Sequence, residues 1–89
     1  MAATQKGLPE KAMTLLLKAE SLAVRSDRAG ARQALEQAAA LAPESAAVHL
    51  QLGMLLQQLD DRDASAAAYR KAIALQPRNA VALNNLAYN

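Results

Sequence analysis

The residue with the widest chemical repertoire in this chain is His49, the one histidine. An imidazole acts as a general base only with a nucleophile or an acid within hydrogen-bond reach, and no motif supplies one here. As a metal ligand on a helix it would want company three or four residues on, where Leu52 and Gly53 stand. His49 therefore reads as a packing residue. Asp60, Asp61 and Asp63 have the spacing of part of a calcium loop, but the loop's glycine and distal bidentate glutamate are absent. They read as a turn with a helix cap. Glu20, with Lys18 nearby, reads as a solvated pair. The chain has no cysteine, which removes disulfides and thiolate metal sites. These residues predict no enzyme, no metal and no cofactor.

Without a reacting constellation, function has to lie in a surface. The formal net charge is +2, and the basic residues are dispersed. Arg25, Arg28 and Arg32 fall near one turn and Arg70 and Lys71 near another, with Asp27, Glu36 and Asp63 close by in sequence. That is the pattern of a solvated helix surface, not of a basic stripe interleaved with aromatics, so no nucleic-acid partner is expected. No apolar run approaches the ~18 residues of a membrane span. Leu15-Leu16-Leu17 is followed at once by Lys18 and Glu20, so it is not a signal-peptide core either. The expectation is a soluble protein, with the choice between cytoplasm and periplasm left open.

The elements that carry such a surface are helices. Hydrophobic residues make up 53% of the chain, yet alanine dominates them and the only aromatics are two tyrosines. Small apolar side chains and few β-branched residues suit close-packed helices and argue against a sheet. The three prolines, Pro9, Pro43 and Pro77, fall on one period of 34 residues. Other positions follow the same offset: Ala19 and Gly53, Ala31 and Ser65, Leu35 and Tyr69, Ala38 and Ala72, Asp27 and Asp61, Ser45 and Asn79. A fixed period of this size marks a stacked repeat. Each unit reads as helix, short turn, helix, then a proline-marked turn.

The spacing predicts five helices, near 9–25, 28–41, 44–59, 62–75 and 78–88. Pro9 suits the first turn of helix one. Asp27, Ser45, Asp61 and Asn79 are placed to cap the four helices that follow. Ala42, preceding Pro43, is biased out of helical geometry and ends helix two. Helix one is apolar on two faces: Ala12, Leu15, Ala19 and Leu22 on one, Met13, Leu16 and Ala23 on another. Such a helix needs neighbours on two sides. Small residues such as Gly53 and Ala19, facing Ser65, Ala72, Ala31 and Ala38, let helix axes approach closely. Tyr69 and Leu35 fill the space beside them.

The segment His49-x2-Leu52-Gly53-x2-Leu56, Ser65-x3-Tyr69, Pro77 resembles a tetratricopeptide repeat. That family usually has Trp at His49, a second aromatic at Leu56 and Ala at Ser65. Leu15-x2-Lys18-Ala19-x2-Leu22, Ala31-x3-Leu35, Pro43 is a weaker copy with Lys18 in place of Leu. Residues 82–87 resemble the opening of a third. The resemblance implies an all-α solenoid of antiparallel helix pairs in a single domain over 1–89. Its units span about 12–45 and 46–79, with a partial third over 80–89, as in a piece of a longer array.

The resemblance also implies a concave face lined by the first helix of each unit, a scaffold that takes a protein or peptide partner. Carried over position by position, the groove comprises Met13, Leu16, Glu20, Ala23 and Val24, then Ala47, Leu50, Met54, Gln57 and Gln58, then Val81, Asn84 and Tyr88. Adaptable methionines suit partner surfaces. The alternative is that these side chains pack against a neighbouring helix or another copy of the chain. Some family members clamp a peptide's terminal carboxylate with Lys, Arg and Asn. The corresponding places here carry Leu16, Glu20, Gln51, Val81 and Asn85, so the basic members are missing. Leu83, Leu86 and Ala87 take the places that would pack on a second helix of unit three, and they predict self-pairing into a symmetric dimer.

Overall fold

The computed structural model describes residues 9–78 and 80–87. Five helices follow one another: α1 Glu10–Val24, α2 Arg28–Leu41, α3 Ala46–Gln58, α4 Arg62–Leu75 and α5 Ala80–Ala87. The described residues contain no strand. α1 packs against α2 and α3 against α4; α2 meets α3 and α4 meets α5. Each helix thus packs on its neighbours in sequence, as in a helical-repeat solenoid. The molecule measures 42 × 29 × 17 Å. Its short dimension corresponds to two layers of helices with axes about 8–10 Å apart.

The helix starts follow from local chemistry. The Asp27 carboxylate accepts from the Gly30 N–H at 3.0 Å, Ser45 Oγ from Val48 N–H at 3.3 Å, and the Asp61 carboxylate from Ala64 N–H at 3.4 Å. Each satisfies a donor that the first helical turn leaves free. The cap expected at Asn79 lies outside the described residues. Pro9 stands just before α1, not within its first turn. Its ψ of 147° keeps it extended, while its carbonyl accepts the bond from Met13 N–H at 3.0 Å.

The helix ends come in two kinds. Ala42 and Gln76, each preceding a proline, leave helical geometry at φ/ψ of −134°/66° and −143°/83°. The ends of α1 and α3 carry a feature with no sequence signal. Ser26 and Asp60, one repeat apart, adopt left-handed backbone with φ of 67° and 65°. In each turn the left-handed residue donates to a carbonyl three back, and the next residue to one five back: Ser26 to Ala23 and Asp27 to Leu22, then Asp60 to Gln57 and Asp61 to Leu56. This is the Schellman closure, usually built on glycine. It reverses the chain within three residues and delivers Asp27 and Asp61 to their capping positions.

The core is thin and rich in alanine. Ala12, Leu16 and Ala19 of α1 meet Ala31, Leu35 and Ala38 of α2. α3 adds Val48, Leu52, Leu55 and Leu59 to the same cluster. One repeat earlier those four positions hold Thr14, Lys18, Ser21 and Arg25, all exposed. Lys18 stays exposed at the edge of the α1–α2 contact, where it borders a small cavity with Gly30, Gln33 and Ala34 of α2. A second cluster gathers Tyr69 and Ala72 of α4 with Leu50, Ile73 and Leu86.

Gly53 lies directly under the Tyr69 ring. A Cβ at this glycine would stand 2.8 Å from two ring carbons. The close neighbour of Gly53 is thus the aromatic ring itself, and Ser65 contributes differently, its hydroxyl donating to the Gly53 carbonyl at 2.8 Å. His49 is buried, as expected of a packing residue, and its Nε2 donates to the Pro43 carbonyl at 2.9 Å. A carbonyl only accepts, so the proton sits on Nε2.

Candidate functional site

The inter-repeat concavity is built from α1 and α3 over a floor of α2. Ala19, Glu20 and Ala23 form one wall. Leu50, Gln51, Met54, Leu55 and Gln58 form the other, with Ala31 and Leu35 beneath. The cavity measures about 460 Å³. Small side chains on α1 open it, and Met54, 40% exposed, reaches into it from α3. A larger cavity of about 720 Å³ lies between the start of α1 and the end of α2, around Lys11, Leu15 and Leu41. It draws no wall from α3 and so belongs to a single helix pair.

Of the residues assigned to the groove from sequence, Glu20, Ala23, Leu50, Met54 and Gln58 are brought together. Leu16 is a core residue, 9% exposed, because it lies in the cluster that α1 shares with α2 and α3. Met13, Val24 and Ala47 are exposed but stand outside this cavity. Gln57 turns toward α4, where its Oε1 accepts from the Tyr69 hydroxyl at 2.8 Å. Asn84 is exposed on α5; the side chain of Val81 and the whole of Tyr88 lie outside the described residues. Gln51 and Leu55 are additions. They line the cavity because a helix presents two adjacent columns to a groove. The run Leu50, Gln51, Met54, Leu55, Gln58, at spacings of one, four, five and eight, carries that signal.

The surface residues assigned to self-pairing separate in the same way. Leu86 turns inward and packs against the Tyr69–Ala72 cluster of α4. Leu83 is 46% exposed. The side chain of Ala87 lies outside the described residues.

Charge is distributed unevenly around the groove. Arg32 pairs with Glu36 at 3.0 Å and with Asp61 at 3.4 Å, which ties α2 to the turn between α3 and α4. The hydrogen bond to Glu36, together with the nearby Asp61, raises the guanidinium further above its ordinary range. Arg28 Nε donates to Gln58 Oε1 at 3.4 Å, bracing one end of the cavity. Glu20 is the only charged side chain among those that line it, and among the described residues it forms no ion pair.

No described group of three or more His, Cys, Asp or Glu side chains could hold a metal. Among the described residues no helix is long and apolar enough to cross a membrane.

A family model described as tetratricopeptide repeat matches residues 46–79. Those residues form a tetratricopeptide repeat. The matched span runs from the first residue of α3 through α4 to the turn before α5. Tetratricopeptide repeats generally mediate protein–protein interaction, as a non-catalytic scaffold. Cellulose synthase operon protein C of Xanthomonas axonopodis pv. citri (strain 306) is 46% identical over 71 residues, which is 80% of this chain. The aligned part spans 5% of that protein's length.

Proposed function

We propose that this chain is a protein-interaction scaffold that receives a partner peptide or helix in the groove between α1 and α3. The observation that carries the reading is the cavity itself. It is concave, spans two successive repeat units, and has apolar walls with a few convergent polar groups, as binding sites do. Met54 offers an adaptable apolar contact at its centre. Gln51 and Gln58 offer amide donors and acceptors. A partner helix would bury its apolar stripe against Leu50 and Met54, in the manner of a helix seated in a groove. The similarity to a cellulose synthase operon protein makes a cellulose synthesis system the proposed setting.

The test is a titration of the labelled chain with a short amphipathic helical peptide of leucine and lysine, followed by NMR. Methyl signals of Ala23, Leu50 and Met54 should shift together, and Met54→Gln should weaken the interaction severalfold without loss of helicity. Shifts confined to other surfaces would refute the groove assignment.

A second reading is favoured by Leu83. Leu83 on α5 is 46% exposed and Leu75 on α4 39%. Two copies would cover Leu83 by pairing.

A further inference from the structure

The groove's lining contains one formal charge, Glu20, and among the described residues that charge forms no ion pair. From this we infer that the partner segment carries a lysine or arginine next to its apolar anchor, placed to meet Glu20. The inference rests on the groove reading above and narrows it to one occupant, an apolar and basic peptide.

The side-chain ion pairs among the described residues are structural. Arg32 serves Glu36 and Asp61, and Arg62 meets Asp60 at 3.6 Å. Glu20 differs in three respects. It is exposed, it stands on the wall opposite Met54, and its neighbours on the same wall are Ala19 and Ala23. Alanine at those places keeps the carboxylate accessible from the cavity. The repeat sharpens the point. The position one period after Glu20 is Met54, so the same place in the two units supplies a charge on one wall and an apolar contact on the other. A ligand lying across both units meets both.

A partner that is purely apolar would desolvate Glu20 without compensation, which disfavours binding. An acidic partner would add repulsion. A basic residue replaces the lost hydration with a charge-assisted contact. Rim charges act on specificity and encounter more than on raw affinity. Overall charge points the other way: the chain carries a net +2, which by itself favours acidic peptides. A preference for a basic peptide would therefore be a property of the site. Arg28, held on Gln58 at one end of the cavity, sets the direction, since the basic residue must lie toward Glu20 and away from it.

The experiment compares two peptides of identical apolar face, one with lysine and one with glutamate at the flanking positions. Binding is measured to the full chain and to Glu20→Gln, Glu20→Lys and Met54→Gln. The lysine peptide should bind about twofold to fivefold tighter to the native chain, the range expected for one partly exposed charge pair. Glu20→Gln should erase that preference and Glu20→Lys should invert it, with helicity unchanged because Glu20 is an exposed helix position. Equal affinity of both peptides for the native chain, each weakened by Met54→Gln, would overturn the inference and leave the groove reading standing. Failure of both peptides to perturb the groove would overturn both. Intermolecular contacts at Met54 between two copies of the chain, undisturbed by either peptide, would overturn the inference by assigning the groove to self-association.

Discussion

At the residue scale, the two repeat units solve one packing problem with reciprocal sizes. Unit one sets Leu35 and Ala19 at the positions where unit two sets Tyr69 and Gly53. The tyrosine ring needs the space that only glycine leaves, since a Cβ would approach it to 2.8 Å. Gly53→Ala gains about 1 kcal/mol of helix propensity and incurs about 1–3 kcal/mol of overpacking. The expected net is destabilisation by up to about 2 kcal/mol, read from urea unfolding. Combining it with Tyr69→Leu recreates the unit-one pair. The double variant should be more stable than the two single losses added together, by at least about 0.5 kcal/mol. Simple additivity would mean that Tyr69 does not sense the added methyl.

Tyr69 also makes a pH prediction. Burial pushes its phenol above the ordinary 10.0, with hydrogen bonding to Asn85 and Ser65 acting in the opposite direction. A raised folded value means that the folded state holds the proton more tightly than the unfolded chain. Its stabilisation is therefore complete below about pH 10 and is lost as pH rises through the folded value. Tyr69→Phe should cost about 1 kcal/mol at neutral pH through loss of the bond to Gln57. It should also lose less stability than the native chain between pH 8 and pH 10.5. Equal alkaline losses in the two proteins would place the titration elsewhere.

At the scale of the element, the notable devices are the turns after α1 and α3. Ser26 and Asp60 hold left-handed backbone that costs a non-glycine residue about 1–2 kcal/mol. Glycine removes that strain but adds unfolded-state freedom worth about 0.5–1 kcal/mol. Ser26→Gly should raise unfolding stability by about 0.5–1 kcal/mol, with the α1–α2 arrangement unchanged. A fall in stability would mean that the serine side chain makes a contribution the turn geometry does not reveal. The periodicity of the sequence located these turns but not their conformation, because neither carries the glycine that usually announces it.

At the scale of the molecule, the α1 face that corresponds to α3's contact with the first pair is polar, through Thr14, Lys18, Ser21 and Arg25. Exposed apolar side chains occur at both ends, Leu17 and Val24 on α1 and Leu75 and Leu83 on α4 and α5. The pairing reading places the contact at Leu83. Sedimentation over a wide concentration range should show mass rising with concentration for the native chain and a lower, flatter mass for Leu83→Asp. A native monomer at every concentration would remove the pairing reading and leave the groove as the sole interaction surface.

The sequence by itself determined the class of fold. Period 34, prolines at its boundaries, capping residues ahead of α2, α3 and α4 and an alanine-rich composition are local signals, and local hydrogen bonding obeys them. His49 as a packing residue was legible in the same way, because the positions that would make it reactive hold Leu52 and Gly53. Glu20, Ala23, Leu50, Met54 and Gln58, assigned to a groove through the resemblance, line one cavity. Tertiary packing decided the rest. Leu16 went to the core because α2 and α3 close around that cluster, and Gln57 turned away because the buried Tyr69 hydroxyl required an acceptor. Leu86 folded inward because the Tyr69–Ala72 surface lay open to it. Periodicity defines which side of a helix is apolar, but which neighbour covers that side depends on the angle and separation at which the helices meet, and those follow from side chains far apart in the chain.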